Sequence, residues 1–280
     1  VNMMRFKLYR EYGALNSKPV FDAFEQGIRS LGHEIVQKDE NVAVIWSVLW
    51  SGRMSGNQRV YRECQAAGIP VIVIEVGNLF RGRTWRICLE NINGDGIFAN
   101  ETDIDQERPQ KLGIDLEPIK EHRKSEILIA TQHKASLQWQ GQPSMQDWVE
   151  QTILKIKKYT DRKIVVRPHP RSLISLSLPN IEVQVPKQIP GSYDDFDIDY
   201  NYHCVINHNS GPAVQAAIKG IPIICDPSSL AAPLSNSIEN IENLVIPDRS
   251  EWFLKLCHTE WTVDEIAKGI PQQRLLSKIH

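Results

Sequence analysis

Two segments in the second half of the chain carry side chains suited to binding an anion. Arg167-Pro168-His169-Pro170-Arg171 follows the β-branched run Lys163-Ile164-Val165-Val166. Asn207-His208-Asn209-Ser210-Gly211-Pro212 follows Cys204-Val205-Ile206 and leads into an alanine-rich helical pattern, Ala213 to Gly220. Arginine's planar fork matches phosphate oxygens, and a histidine can donate to the same group. The prolines on either side of His169 fix φ and stiffen the loop. In the second segment Ser210 or Asn209 could cap the helix, and Gly211 admits a ligand close to the backbone. A helix start also attracts phosphate through its open N–H groups and its dipole. Each segment alone also reads as a solvated basic turn or a plain capped helix. Together, beyond the carboxyl ends of strands in an α/β sheet, they suggest a site for a nucleotide mono- or diphosphate carrying a cargo group.

A third polar segment, Thr131 to Ser144, contains Gln132, His133, Lys134 and Trp139. Lys134 could meet a phosphate. Trp139 could stack on a base or sugar, or simply belong to the core. In the first half, Glu75 closes an apolar strand and is a candidate general base, or else half of a salt bridge to a nearby arginine. Glu11, in the loop after the first strand, is the second candidate base. Ser51 and Arg53 leave another strand end, and Arg81, Arg83 and Arg86 surround Trp85 in the densest basic–aromatic cluster. That cluster could hold backbone phosphates and stack a base, or form a solvated rim around one buried tryptophan.

These residues need strands and helices to hold them, and the hydrophobic pattern supplies both. Strands are predicted at 6–9, 42–46 and 70–75, with helices opening at Pro19 and over 57–67, stopped by Gly32 and Gly68. Residues 100–125, polar and proline-containing, read as an interdomain linker. Beyond it strands are predicted at 126–131, 163–167, 204–207 and 221–225, with helices at 144–159 and 212–219. The acidic stretch 194–199 reads as surface helix or loop, and helical patterns near 250–257 and 262–269 end the sequence. The expected architecture is α/β, two Rossmann-like domains facing a cleft. Residues 1–120 would form the first domain and 121–280 the second, with the last helix free to pack back on the first.

Composition sets outer limits. A 280-residue chain with 41% hydrophobic and 24% charged residues is ordinary for a globular protein. A formal charge of −2 exerts no global pull on polyanions, so any phosphate must be held locally. No apolar run reaches membrane-spanning length, and five cysteines without CxxC spacing suggest neither zinc nor disulfides. A cytoplasmic setting and no metal are expected. The absence of GxxxxGK[ST], of GxGxxG after the first strand and of GxSxG argues against P-loop enzymes, standard dinucleotide oxidoreductases and serine hydrolases.

The His169-Pro170 loop and the Asn209-Ser210 helix start, with Lys219-Gly220-Ile221-Pro222 after the helix, resemble the donor-binding half of capsule-type, Kdo-transferase-like glycosyltransferases of the GT-B fold. In that family an Asn-Ser-Ser helix start meets the nucleotide-sugar phosphate; here Gly211 replaces the second serine. This resemblance covers about residues 126–230. The whole chain also resembles phage-encoded glycosyltransferases, through Trp46–Gly56, Glu75–Trp85, Ser136–Ser144 and Trp261–Ile266. It implies a nucleotide-sugar donor held by Gln132, Lys134, Arg167, His169, Arg171, Asn209, Ser210 and Gly211, with no separate cofactor. It further implies a 5-hydroxymethylpyrimidine acceptor in double-stranded phage DNA, met by Ser51, Arg53, Arg81, Arg83, Trp85 and Trp139. Transfer would be metal-independent and inverting, with Glu75 or Glu11 as base and His169 at the leaving phosphate, in the host cytoplasm. The rival expectations are a capsule or lipopolysaccharide glycan acceptor, and a non-catalytic nucleotide- or DNA-binding protein.

Overall fold

The computed structural model describes residues 2–192 and 194–279. The chain divides into two compact units, Val1–Ile114 with Trp252–His280, and Asp115–Glu251. The C-terminal segment assigned to the second domain from sequence therefore lies in the first unit. The reason is visible in its partners, described below.

The first unit is built on β1 (Arg5–Leu8), α1 (Lys18–Ser30), β2 (Glu34–Ile35), β3 (Val42–Trp46), α2 (Asn57–Ala67), β4 (Val71–Val76), β5 (Thr84–Leu89) and a short helix, α3 (Arg108–Leu112). Apolar residues at helical spacing in α1 bury Val20, Phe21, Phe24 and Ile28 against the sheet. Pro19 opens that helix, and Gly68 in the left-handed region closes α2. β3 is buried throughout and β4 nearly so, as strands covered on both faces must be.

The second unit contains β6 (Ile127–Ala130), α4 (Met145–Ile156), β7 (Ile164–Arg167), β8 (Glu182–Val183), β9 (Lys187–Gln188), β10 (Phe196–Asp197), β11 (Cys204–Ile206), α5 (Gly211–Ile218) and β12 (Ile223–Ile224). Ser144 caps α4 by accepting from the Asp147 amide. The acidic stretch is neither helix nor plain loop: Phe196 and Asp197 form β10, antiparallel to β9. The main sheet runs β12-β11-β6-β7-β8, all parallel. The chain thus steps outward from β6 through β7 to β8, then returns to the other side of β6 for β11 and β12. Loops after β6 and β11 leave in opposite directions, which opens a crevice at their carboxyl ends.

The chain then forms α6 (Ser250–Leu256), β13 (Glu260–Thr262), α7 (Val263–Ala267) and α8 (Ile270–Leu276). The first sheet has the order β13-β5-β4-β3-β1-β2, with β5 and β13 antiparallel to their inner neighbours. Neither β5 nor β13 is predicted from the sequence, because Arg86 and Glu260 interrupt their apolar pattern. Both charges are satisfied inside. Arg86 donates to the Val76 and Ile92 carbonyls, and Glu260 accepts from the Asn78 and Leu79 amides and the Thr84 hydroxyl. Arg108 secures α3 by donating to the Cys257 and Glu260 carbonyls and pairing with Glu265, the capping-box residue of α7.

Gln272 on α8 is fully buried and donates to the Phe24 and Ile266 carbonyls. A methyl group on Gly27 would meet this amide and the Ile266 carbonyl. Gly27→Ala should therefore destabilise by about 1–3 kcal/mol through overpacking. Helix propensity alone predicts a gain of about 1 kcal/mol. Denaturant unfolding of the two proteins distinguishes the signs.

Candidate functional site

The crevice of the second sheet is closed at its base by side-chain amides. Asn207, directly after β11, donates to the Ala130 carbonyl at the end of β6 and to Ser210 Oγ, and accepts from the Ser210 amide. Gln132 and Asn209 are both buried and bond reciprocally: Gln132 Nε2 donates to Asn209 Oδ1 at 2.8 Å, and the Asn209 amide donates to Gln132 Oε1 at 3.1 Å. Asn209 Nδ2 donates to Ser228 Oγ, which donates to Asp226 Oδ2. Because that hydroxyl proton is taken by Asp226, Ser228 must accept from Asn209. This chain fixes which way both amides face.

On this base stands the start of α5. Its N-cap, Ser210, makes no side-chain capping bond, so neither Ser210 nor Asn209 caps the helix. Pro212 has no N–H, leaving the Gly211 and Ala213 amides as the open donors of the first turn.

The loops after β6 and β7 are tied by the His169 amide donating to Thr131 Oγ and by the Lys134 amide donating to Ser172 Oγ. His133 Nδ1 accepts from the Ala135 amide and His169 Nδ1 from the Arg171 amide. Each neutral ring therefore carries its proton on Nε2. The two rings lie 5.3 Å apart, edge to face. Lys134 is exposed, and Arg171 pairs with Asp194 at 2.8 Å. Four basic groups thus converge on two adjacent loops.

Other expected site residues have different surroundings. Arg167 is buried at the end of β7, donates to the Asp199 carbonyl and packs against Tyr200 and Tyr202. It braces the 199–202 segment and is not a surface contact for phosphate. Trp139 is likewise buried, its indole N–H donating to the Pro143 carbonyl and its ring packed against Trp148 and His208. Trp85 lies in β5 within the core of the first unit. Burial leaves neither tryptophan available as a stacking platform.

At the carboxyl edge of the first sheet, Glu11 is exposed after β1, Ser51 and Arg53 follow β3, and Arg81 and Arg83 are exposed after β4. Arg83 lies over the Phe80 ring at 4.6 Å. Glu75 is buried, with 8% of its surface exposed, and forms no ion pair among the described residues. Its Oε2 accepts the Ser47 hydroxyl at 2.6 Å and the Val48 amide, and its Oε1 accepts the Val76 amide. The salt-bridge alternative does not hold.

Sequence reading overlooked Ser47, Asp226 and Ser228 as parts of these networks, and did not single out His133. Serines and an aspartate in loops carry no distinctive pattern. His133 was the exception, since it stands between Gln132 and Lys134.

No protein-family model and no curated protein sequence matches the chain. Solved structures share its fold over nearly the full length. Thermosulfurimonas dismutans KpsC, beta Kdo 2,4 transferase, is 11% identical with a TM-score of 0.55, covering 97% of this chain and 99% of that one. The T. dismutans KpsC, beta Kdo 2,7 transferase, is 14% identical with a TM-score of 0.51, covering 96% and 99%. The fold class is therefore α/β with two Rossmann-like units, as in GT-B glycosyltransferases. Among the described residues no helix is long and apolar enough to cross a membrane.

Burial, with repulsion from Lys134 and Arg171, pushes the His133 ring below the usual histidine range. In the free protein this lowers stability as pH falls below the ordinary histidine value of about 6.5, where the unfolded chain binds the proton more readily. A bound anion reverses the balance, so proton uptake should accompany binding. Affinity for an anion whose own charge does not titrate in this range should rise as pH drops from about 8 to about 5.5. Calorimetric Kd values check this, and His133→Ala should flatten the dependence.

Proposed function

We propose that the protein is a nucleotide-sugar-dependent glycosyltransferase. The observation that carries this reading is the crevice of the second sheet. Open amides of Gly211 and Ala213, imidazole Nε2 donors of His133 and His169, and the Lys134 ammonium stand on loops leaving three neighbouring strands. Such donors stabilise charge on a departing nucleotide phosphate, the main task in glycosyl transfer from an activated sugar. The fold shared with Kdo transferases supports the same class. In the first unit Glu75, buried yet held only by neutral donors among the described residues, is assigned as the base toward the acceptor hydroxyl in an inverting displacement. Glu11, exposed, is the weaker candidate.

For the acceptor we favour a saccharide hydroxyl. The DNA reading needs aromatic platforms, and burial removes Trp85 and Trp139 from that role, leaving Arg53, Arg81 and Arg83 as a basic rim. A rim of three arginines remains compatible with duplex phosphates, so a hydroxymethylated pyrimidine stays the second reading.

Mass spectrometry of reactions pairing UDP-, GDP-, dTDP- and CMP-sugars with oligosaccharide acceptors and with 5-hydroxymethylpyrimidine DNA tests both. Sugar mass gained by a saccharide supports the favoured acceptor, and gain confined to modified DNA replaces it with the second. His169→Ala should lower kcat by about a hundredfold or more. Nucleotide binding without transfer or donor hydrolysis on any pair would sink the enzymatic reading.

A further inference from the structure

Glu75 is held by a residue whose own backbone is strained. Ser47, the first residue after β3, has φ of +69°, a conformation glycine adopts freely and serine does not. It is almost completely buried, at 2% exposure. Its hydroxyl donates to Glu75 Oε2 at 2.6 Å and accepts from the Leu49 amide at 2.9 Å, so the direction of the proton is set. The same left-handed turn presents the Val48 amide to Glu75 Oε2. Oε2 is thus held by one short bond from the Ser47 hydroxyl and one long contact, 3.4 Å, from the Val48 amide. Oε1 accepts only the Val76 amide among the described residues, which leaves one of its acceptor positions open.

Glycine would remove the strain, and alanine would keep the strain without the hydroxyl. Serine does neither; it combines an unfavourable backbone with the one side-chain donor to the carboxylate among the described residues. Strain retained beside a candidate reactive group is a sign of a geometric requirement there.

We propose that Ser47 is a positioning residue for Glu75: by holding Oε2 through a short, directed bond it turns the open acceptor position of Oε1 toward the hydroxyl to be deprotonated. The inference rests on the assignment of Glu75 as base, and goes beyond it by naming what orients that base.

Ser47→Gly and Ser47→Ala separate positioning from folding. Both lack the hydroxyl, but glycine relieves the left-handed backbone, so the Gly variant should melt at a higher temperature than the Ala variant. Steady-state kinetics with the donor–acceptor pair found in the transfer panel should show kcat lowered about ten- to a hundredfold in both variants, with donor and acceptor KM little changed. Crystal structures of both variants should show the Glu75 carboxyl group displaced from its wild-type position. An activity loss that follows melting temperature, with the Gly variant near wild type, would overturn the proposal. So would an unmoved carboxyl group. Glu75→Gln is the control for the underlying reading: if it retains wild-type kcat, Glu75 is not the base; if it is inactive while both Ser47 variants are normal, only the positioning role fails.

Discussion

The reciprocal bonds between Gln132 and Asn209 are the constraint on which the second unit's site depends. Loops after β6 and β11 part at this point because the strand order reverses there. A crevice between diverging loops would expose backbone polar groups or collapse, unless side chains bridge it. The Gln132 side-chain amide spans the gap without introducing charge, donating to the Asn209 side chain and accepting from the Asn209 backbone N–H. Leaving either unpaired would cost about 1–3 kcal/mol. Their orientation is inherited from Asp226 through Ser228, so three adjacent strand ends share one polar network. The start of α5 is placed by that network, and by Asn207 beneath it, rather than by a cap of its own.

The first sheet solves the same problem with different groups. Asn57, fully buried, donates to the Trp46 carbonyl at the end of β3 and the Tyr12 carbonyl after β1, the pair of strands between which its own order reverses. Glu75 and Ser47 then tie β4 to β3 one position further along. In each unit an asparagine clamps the diverging loops, while the chemistry-bearing groups stand beside the clamp. A buried amide suits the Asn57 role because its nitrogen offers two donors, enough to hold two carbonyls, without the desolvation penalty of a charge.

Much of this was legible in the sequence, and the losses have physical causes. Strands such as Val71–Val76 and Ile164–Arg167 announce themselves because doubly covered parallel strands are continuously apolar. The loops carrying His169 and Asn209 stand out because each follows such a strand. β5 and β13 were lost because Arg86 and Glu260 read as surface charges. Only tertiary contacts supply the carbonyls, amides and hydroxyl that satisfy them. Arg86 also drew Trp85 into a false surface cluster, since one misplaced strand reverses the exposure of everything on it. Trp139 misled for another reason: its indole N–H finds a carbonyl four residues away, so the ring can be buried without leaving a donor unpaired. The positive φ of Ser47 has no sequence signature at all.

Charge placement gives the site its selectivity. With a net charge of −2, the protein has no long-range attraction for anions, and most of its basic groups are already committed. Arg171 holds Asp194, Arg167 holds a carbonyl beneath two tyrosines, and Arg86 and Arg108 serve the first unit's interior. The same loops also carry the Lys134 ammonium, the His133 and His169 imidazoles and the Gly211 and Ala213 backbone amides. These are mostly neutral donors of fixed direction. Neutral donors gain little from a distant polyanion, but each forms a strong, directed bond when a phosphate is seated. Such a set would discriminate by geometry rather than by charge density, as the proposed transfer requires.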